Sequence, residues 1–468
     1  MPRAMRLPQL DILRGVAVLL VLARHLAVGY PFAGRLQPLV RITFDFGWTG
    51  VDLFFVLSGF LVGGLLFKEW RQRSRIDIPR FLIRRGFKIW PAYFIYIAAM
   101  AVLYTADGSL GPPRQALTLL SPNFAHFQSY LPTPLLHTWS LSVEEHFYLA
   151  LPLILLLAAR RPAEGRLAVR TMFLVTAGII ILLGAVGYSL RSPLPLASFP
   201  NEMQTYLRPY VQSVFLWLVG AQLLSLVALF LLLPRFWKTE QNELAPLPMV
   251  ALGVLLLCFG FRICNQWLAA RLGIDWTFNF FASHLRIDSL FFGVLLGYWH
   301  HFREGELRRV ARHRGLLCLA AAALVSGAIY LVPQTSVATY GFIPLYLGYG
   351  CLLMAVVYST PGEGWLGRCL SSLPARLLAF IGFYSYSIYL WHINSVRNRI
   401  DQWVYERLGA WLPAEPRWLA TTLLSVGGAV LVGVAMAKLI EQPCLRLRDR
   451  LFPGRADALA SRGAEASV

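Results

Sequence analysis

Charge is scarce in this sequence: Asp, Glu, Lys and Arg together make up 14% of its 468 residues, against about a quarter in ordinary soluble proteins. Hydrophobic residues fill 57% of it, and so large an apolar share excludes a soluble globular protein. Acidic residues are the scarcer kind, 24 against 43 Lys and Arg, which leaves a formal net charge of +19. No basic module with interleaved aromatics accompanies that excess. Nucleic acid is therefore not an expected partner, and positively charged cytoplasmic loops are the first explanation. Cysteine is sparse too. Cys258, Cys264, Cys318, Cys351, Cys369 and Cys444 lie in or beside apolar segments without a CxxC or a paired histidine, which implies neither a metal site nor a disulfide framework. No internal repeat is visible, so an inverted-repeat transporter gains no support. The first apolar stretch lacks a small-residue cleavage site and reads as a retained helix, not a removed signal peptide.

What the chain does have is a series of apolar windows long enough to cross a bilayer as helices. They run roughly over residues 12–31, 47–67, 88–105, 138–158, 171–190, 211–233, 247–264, 284–301, 315–333, 342–359, 376–396 and 417–440. The expected fold class is all-α, a polytopic integral membrane protein of about 10–12 transmembrane helices. Arg and Lys concentrate in alternate connecting segments, above all Lys68 to Lys88 with Arg71, Arg73, Arg75, Arg80, Arg84 and Arg85, and this bias predicts that both termini and that loop are cytoplasmic. Topogenic charge beside anionic lipid explains most of the loop. Residues 1–445 are expected to form one transmembrane domain, and 446–468, basic at first and then rich in Ala, Ser and Gly, a short flexible cytoplasmic tail.

Within these windows the polar residues stand out. Arg14 and His25 are eleven residues apart in LDILRGVAVLLVLARHL, a spacing that returns them to within ~20° of one helix face and ~16 Å apart along it. Ionisable groups in hydrocarbon are costly unless they face a protein interior or water, which favours function. The plain alternative has Arg14 snorkelling to one interface and His25, with Arg24, marking the other end. Asp52 lies near the outer end of the second window, where Gly59 and Gly63 have a spacing that lets another helix approach closely. The fourth window carries Glu144, Glu145 and His146 in HTWSLSVEEHFYLALP, and adjacent glutamates are hard to reconcile with lipid. Arg286 and Asp288 reach the same level from the eighth window, either as a functional pair or as an internal ion pair ordering helices. Ser387, Tyr389 and His392 reach it from the eleventh, where His392 could equally sit in an aromatic belt.

Acyl transfer to a hydroxyl suits this layout. A histidine such as His25 would deprotonate the acceptor, Glu144 or Glu145 would orient that histidine, and Ser or Tyr hydroxyls would stabilise the oxyanion. Asp52, Arg286, Asp288, Ser387, Tyr389 and His392 are then candidates for holding the acceptor. An anionic acyl-CoA donor would need cations on the cytoplasmic side, and Arg14, Arg84, Arg85 and Lys88 are placed to supply them.

These motifs resemble the acyltransferase-3 family of integral membrane acyltransferases. LDILRGVAVLLVLARHL resembles that family's first helix, GVDLFFVLSGFL its second and IRRGFKIWPAYF the basic start of its third. HTWSLSVEEHFY resembles its Trp-Ser-Leu-x-x-Glu-Glu helix, HLRIDSLFFGVLLG the later Arg-x-Asp segment, SYSIYLWH the penultimate helix and LIEQPCLR the final one. The resemblance implies transfer of an acyl group, commonly acetyl, from cytoplasmic acyl-CoA to a carbohydrate at or across a bacterial inner membrane, with no metal. Two positions depart from the pattern. The family's paired arginines appear as Arg85 and Lys88, a lysine that supplies charge without a bidentate fork, and His146 stands where glutamine is usual. Members with about ten spans imply two extra ones here between about 190 and 264. The competing readings are a transporter of polysaccharide or lipid-linked sugar, in which the same residues line a path, and a transferase acting on a glycosylated metabolite. The oligomeric state is open.

Overall fold

The computed structural model describes residues 8–26, 35–106, 108, 113–130, 133–158, 244, 247–272, 279–333, 336–408 and 411–453. Among them there is no strand, in agreement with the all-α expectation. Five helical stretches are long and apolar enough to cross a membrane: Gln37–Arg73, Ile78–Ala106, Leu247–Trp267, Val337–Val357 and Ala414–Leu451. The number rises to seven if each of two bent helix pairs counts as one span. The chain is thus a polytopic helical membrane protein. The first expected window falls on α1 (Pro8–Leu26), which holds Asp11, Arg14 and Arg24 in 19 residues and is not among these stretches. The windows at 171–190 and 211–233, and the tail from 454, lie outside the described residues.

Local sequence explains several boundaries. Helix α2 (Gln37–Gly47) is short and is followed by α3 (Gly50–Arg73). Ser74, with a left-handed φ of 51°, turns its N–H onto the Trp70 carbonyl at 2.7 Å and closes α3. Asp77 then caps α4 (Ile78–Ala106), its carboxylate accepting the Arg80 N–H at 3.2 Å. The basic segment Lys68 to Lys88 is therefore mostly helix, with a link of only four residues, Ser74 to Asp77, between α3 and α4.

The chain divides into two compact units. The first comprises 1–10, 51–76 and 121–372. It contains α3, α6 (Trp139–Ala158), α7 (Leu247–Leu272), α8 (Ser283–Phe302), α9 (Glu304–Ala311), α10 (Arg314–Tyr330), α11 (Phe342–Val357) and α12 (Gly364–Ser371). Helix α8 is its axis, buried along most of its length and packed on α6, α7 and α11. It meets α3 backbone to backbone: a Cβ on Gly59 would collide with the Leu290 carbonyl, and one on Gly293 with that of Val56. The small-residue spacing read from the sequence is used here for close helix approach.

The second unit comprises 11–50, 77–120 and 373–468. It holds most of α1, with α2, α4, α13 (Leu373–Phe383), α14 (Ser385–Trp391), α15 (Asn398–Leu408), α16 (Ala414–Met436) and α17 (Gln442–Leu451); α5 (Pro113–Phe124) begins in it. Helix α16 packs on α14 and α15, and α17 on α4. Two π-turns interrupt its helices, His392–Arg397 after α14 and Ala437–Glu441 before α17. Helix α17 continues through residue 446, where the flexible tail was expected to start.

Candidate active site

The second unit gathers His25, Arg14, Arg84, Arg85, Lys88, Ser387, Tyr389 and His392; the first holds Asp52, Glu144, Glu145, Arg286 and Asp288. In the second unit, α1 carries His25 half-buried near its last turn. His25 Nδ1 lies 2.9 Å from the Val21 carbonyl, one helical turn back, and 3.1 Å from His392 Nε2. His392 is buried, and its own Nδ1 is 2.6 Å from the Tyr389 carbonyl. Sequence reasoning placed His392 among acceptor-binding residues or in an aromatic belt; in the structure it is the ring beside His25. Arg24 does not end the helix in water: its guanidinium stacks 3.4 Å over the Phe44 ring of α2.

Arg14 pairs with Asp11 at 3.0 Å and keeps 30% of its side chain exposed. Arg84 donates to Asp449 at 3.2 Å and to the Phe452 carbonyl, so it ties α4 to α17. Arg85 lies over the Phe81 ring at 5.8 Å. Ser387 donates to Glu441 across 2.9 Å, and the charges of Lys88 and Arg14 both face that carboxylate. Glu441 was missed as a site residue. Its signal was present in LIEQPCLR, a carboxylate at the end of an apolar window.

In the first unit, Arg286 donates to Asp52 at 2.9 Å and Arg262 to Asp288 at 2.7 Å, all four side chains 0–2% exposed. The two neighbours in the Arg-x-Asp segment thus do not pair with each other. Residues two apart on a helix point away from one another, and each finds its partner on a different helix, α3 or α7. Ser289 also donates to Asp52, at 3.2 Å, and the Phe342 ring lies 3.5 Å beneath the Arg286 guanidinium. Arg262, in an apolar window, is a second missed residue. Glu144 accepts the Tyr148 hydroxyl at 2.9 Å, which lies 3.0 Å from Ser58, while Glu145 is buried. His146 Nδ1 meets Ser283 Oγ at 2.7 Å, and Ser283 meets Ser129 at 3.0 Å. Among the described residues no group of three or more His, Cys, Asp or Glu side chains is arranged to hold a metal ion.

With this geometry in place, residues 7–200 match the acyltransferase domain model Acyl_transf_3. That part of the chain is similar to the acyltransferase-3 family. The peptidoglycan O-acetyltransferase OatA of Listeria monocytogenes is 32% identical over 163 residues, covering 32% of this chain and 24% of that protein. The O-acetyltransferase OatA of Staphylococcus aureus is 30% identical over 182 residues, 36% of this chain and 28% of its own. The chain therefore spans only about a quarter of the length of these two relatives. The acyltransferase MdmB of Streptomyces mycarofaciens is 25% identical over 464 residues, 97% of this chain and 95% of that protein. No solved structure matches the chain. The family match places Arg14, His25, Asp52, Arg84, Arg85, Lys88, Glu144 and Glu145 inside the matched residues; Arg286, Asp288, Ser387, Tyr389 and His392 lie beyond them.

Proposed function

We propose that the chain is a membrane O-acyltransferase that moves an acyl group, acetyl in the first instance, from cytoplasmic acyl-CoA to a hydroxyl of a cell-surface or secreted glycan or of a glycosylated metabolite. It would sit in a bacterial cytoplasmic membrane with both termini inside. The observation that carries the reading is the imidazole of His25. Its Nδ1 is 2.9 Å from the Val21 carbonyl, and a carbonyl can only accept, so the ring proton resides on Nδ1 and the lone pair on Nε2. Nε2 makes no hydrogen bond among the described residues. A neutral, oriented imidazole with an open lone pair is what a general base requires.

In the reaction the acceptor oxygen attacks the thioester carbonyl as Nε2 takes its proton. The C–S bond then breaks, and the CoA thiolate leaves and recovers the proton. Arg14, Arg85 and Lys88 are assigned to the donor's phosphates. The names of both OatA relatives support acetyl as the group, and that of the Listeria monocytogenes protein supports a glycan as the acceptor; MdmB, which aligns over nearly the whole chain, supports acyl transfer without naming an acceptor.

The test is purified protein in detergent with acetyl-CoA, followed by release of free CoA thiol, with and without candidate glycans. Slow hydrolysis that accelerates with an acceptor is expected. A transporter would release none, and that outcome would overturn the reading.

A further inference from the structure

We propose that His392 is the positioning partner of His25: a neutral imidazole, not a carboxylate, that accepts the Nδ1 proton of the base and shares the charge formed when His25 is protonated. This rests on His25 as general base and adds a second residue from the far end of the sequence.

The argument begins at Tyr389. Its carbonyl can only accept, so His392 Nδ1, 2.6 Å away, must donate. The neutral His392 ring then presents its lone pair at Nε2. That Nε2 is 3.1 Å from His25 Nδ1, and the ring centroids are 4.9 Å apart with planes tilted by 55°, an edge-directed contact and not a stack. His25 Nδ1 thus faces two acceptors, the Val21 carbonyl and His392 Nε2. Both fix its proton in place, and both leave Nε2 of His25 to face the acceptor hydroxyl.

The backbone is built for this placement. His392 opens the π-turn His392–Arg397 directly after the seven-residue helix α14, and single π-turns inside helices are commonly found at functional sites. The side chain is 2% exposed, so its donor and acceptor must both be used inside the protein, as they are.

The chemistry explains why an imidazole serves here. When Nε2 of His25 takes the hydroxyl proton, its Nδ1–H becomes a stronger donor, and His392 Nε2 can accept that proton partly or fully. Full transfer puts one proton on His25 Nε2 and two on His392, whose Nδ1–H still points at Tyr389; the steps reverse when the thiolate leaves. The charged groups facing His25 are Arg24 of α1 and Arg397 of the π-turn, and the Tyr389 ring lies 5.7 Å from that of His392. Both arginines repel a cation on the ring, which makes an acceptor at Nδ1 valuable. A carboxylate there would favour the protonated base at rest; a neutral imidazole accepts the proton only while the reaction supplies one.

The experiment compares His392→Ala, His392→Gln, His25→Ala and the double variant His25→Ala/His392→Ala in the full-length detergent-purified protein, measuring kcat and KM for acetyl-CoA with thermal unfolding in parallel. His392→Ala should lower kcat ~10- to 100-fold with KM nearly unchanged. His392→Gln, whose amide oxygen can accept near the Nε2 position, should recover most of the loss, and His392→Ala should cost nothing further once His25 is alanine. Equal loss in the Gln and Ala variants, or full turnover in folded His392→Ala while His25→Ala is inactive, would overturn the proposal. Full turnover in His25→Ala would instead remove the base reading on which it stands.

Discussion

Ser387 and Glu441, 54 residues apart in the sequence, meet at 2.9 Å between α14 and the π-turn before α17. The hydroxyl fixes one carboxylate oxygen, and the charges of Lys88 and Arg14 face the same group. Glu441 is thus the resident anion of a site whose cations are assigned to a donor's phosphates. Glu441→Gln keeps the shape and removes the competing charge, so acetyl-CoA should bind several-fold more tightly. Isothermal titration measures this directly; weaker binding would show that Glu441 positions the cations instead of competing for them.

Arg84 was read with Arg85 and Lys88 as a donor-binding cation, yet its guanidinium is spent on Asp449 and the Phe452 carbonyl. Its substitution and theirs should therefore separate. Arg84→Ala is expected to lower the thermal midpoint by loosening α17 on α4, with little change in acetyl-CoA affinity. Arg85→Ala combined with Lys88→Ala should weaken donor binding, more so in high salt. The reverse pattern would return Arg84 to the donor site.

The pairs Asp52–Arg286 and Asp288–Arg262 are closed off from solvent. Breaking a buried pair by removing one partner strands the other charge and typically costs ~3–5 kcal/mol, whereas replacing both with apolar groups of similar volume can be nearly neutral. Asp288→Leu should consequently destabilise the protein far more than Asp288→Leu with Arg262→Met. Thermal unfolding in detergent reads the difference. If the double variant is no more stable than the single one, the pair does not act as a unit.

These residues show what a sequence can disclose and what it cannot. Helical spacing put Arg14 and His25 on one face, and the glycine spacing of α3 foretold a close helix crossing, because both are properties of a single helix. The partners are not. Arg286 meets Asp52 across 234 positions and His392 meets His25 across 367, distances at which no periodicity relates two side chains. Arg262 and Glu441 passed unnoticed for a related reason: a lone charge in an apolar window reads as a window's edge until the opposite charge is seen. At Nδ1 of His25 the fold places a backbone carbonyl and a second imidazole, and the second of these comes from too far along the chain for any spacing to announce it.

The last prediction concerns His25 itself. General-base catalysis usually contributes ~10² to 10⁴-fold, so folded His25→Ala should lose turnover by that order while binding acetyl-CoA as the wild type does. The sign of the pH dependence follows from the working form. Nε2 must be unprotonated to take the hydroxyl proton, so turnover should be full above the pKa of this imidazole and should fall as pH drops through it. His25→Ala should flatten that limb as well as lower it, because the titrating group has gone. Stopped assays of thiol release across the acid range, with donor binding measured at each pH, separate this from any effect of pH on donor binding. A profile that keeps its acid limb in the alanine variant would assign the limb to another group, with His137 the next to examine.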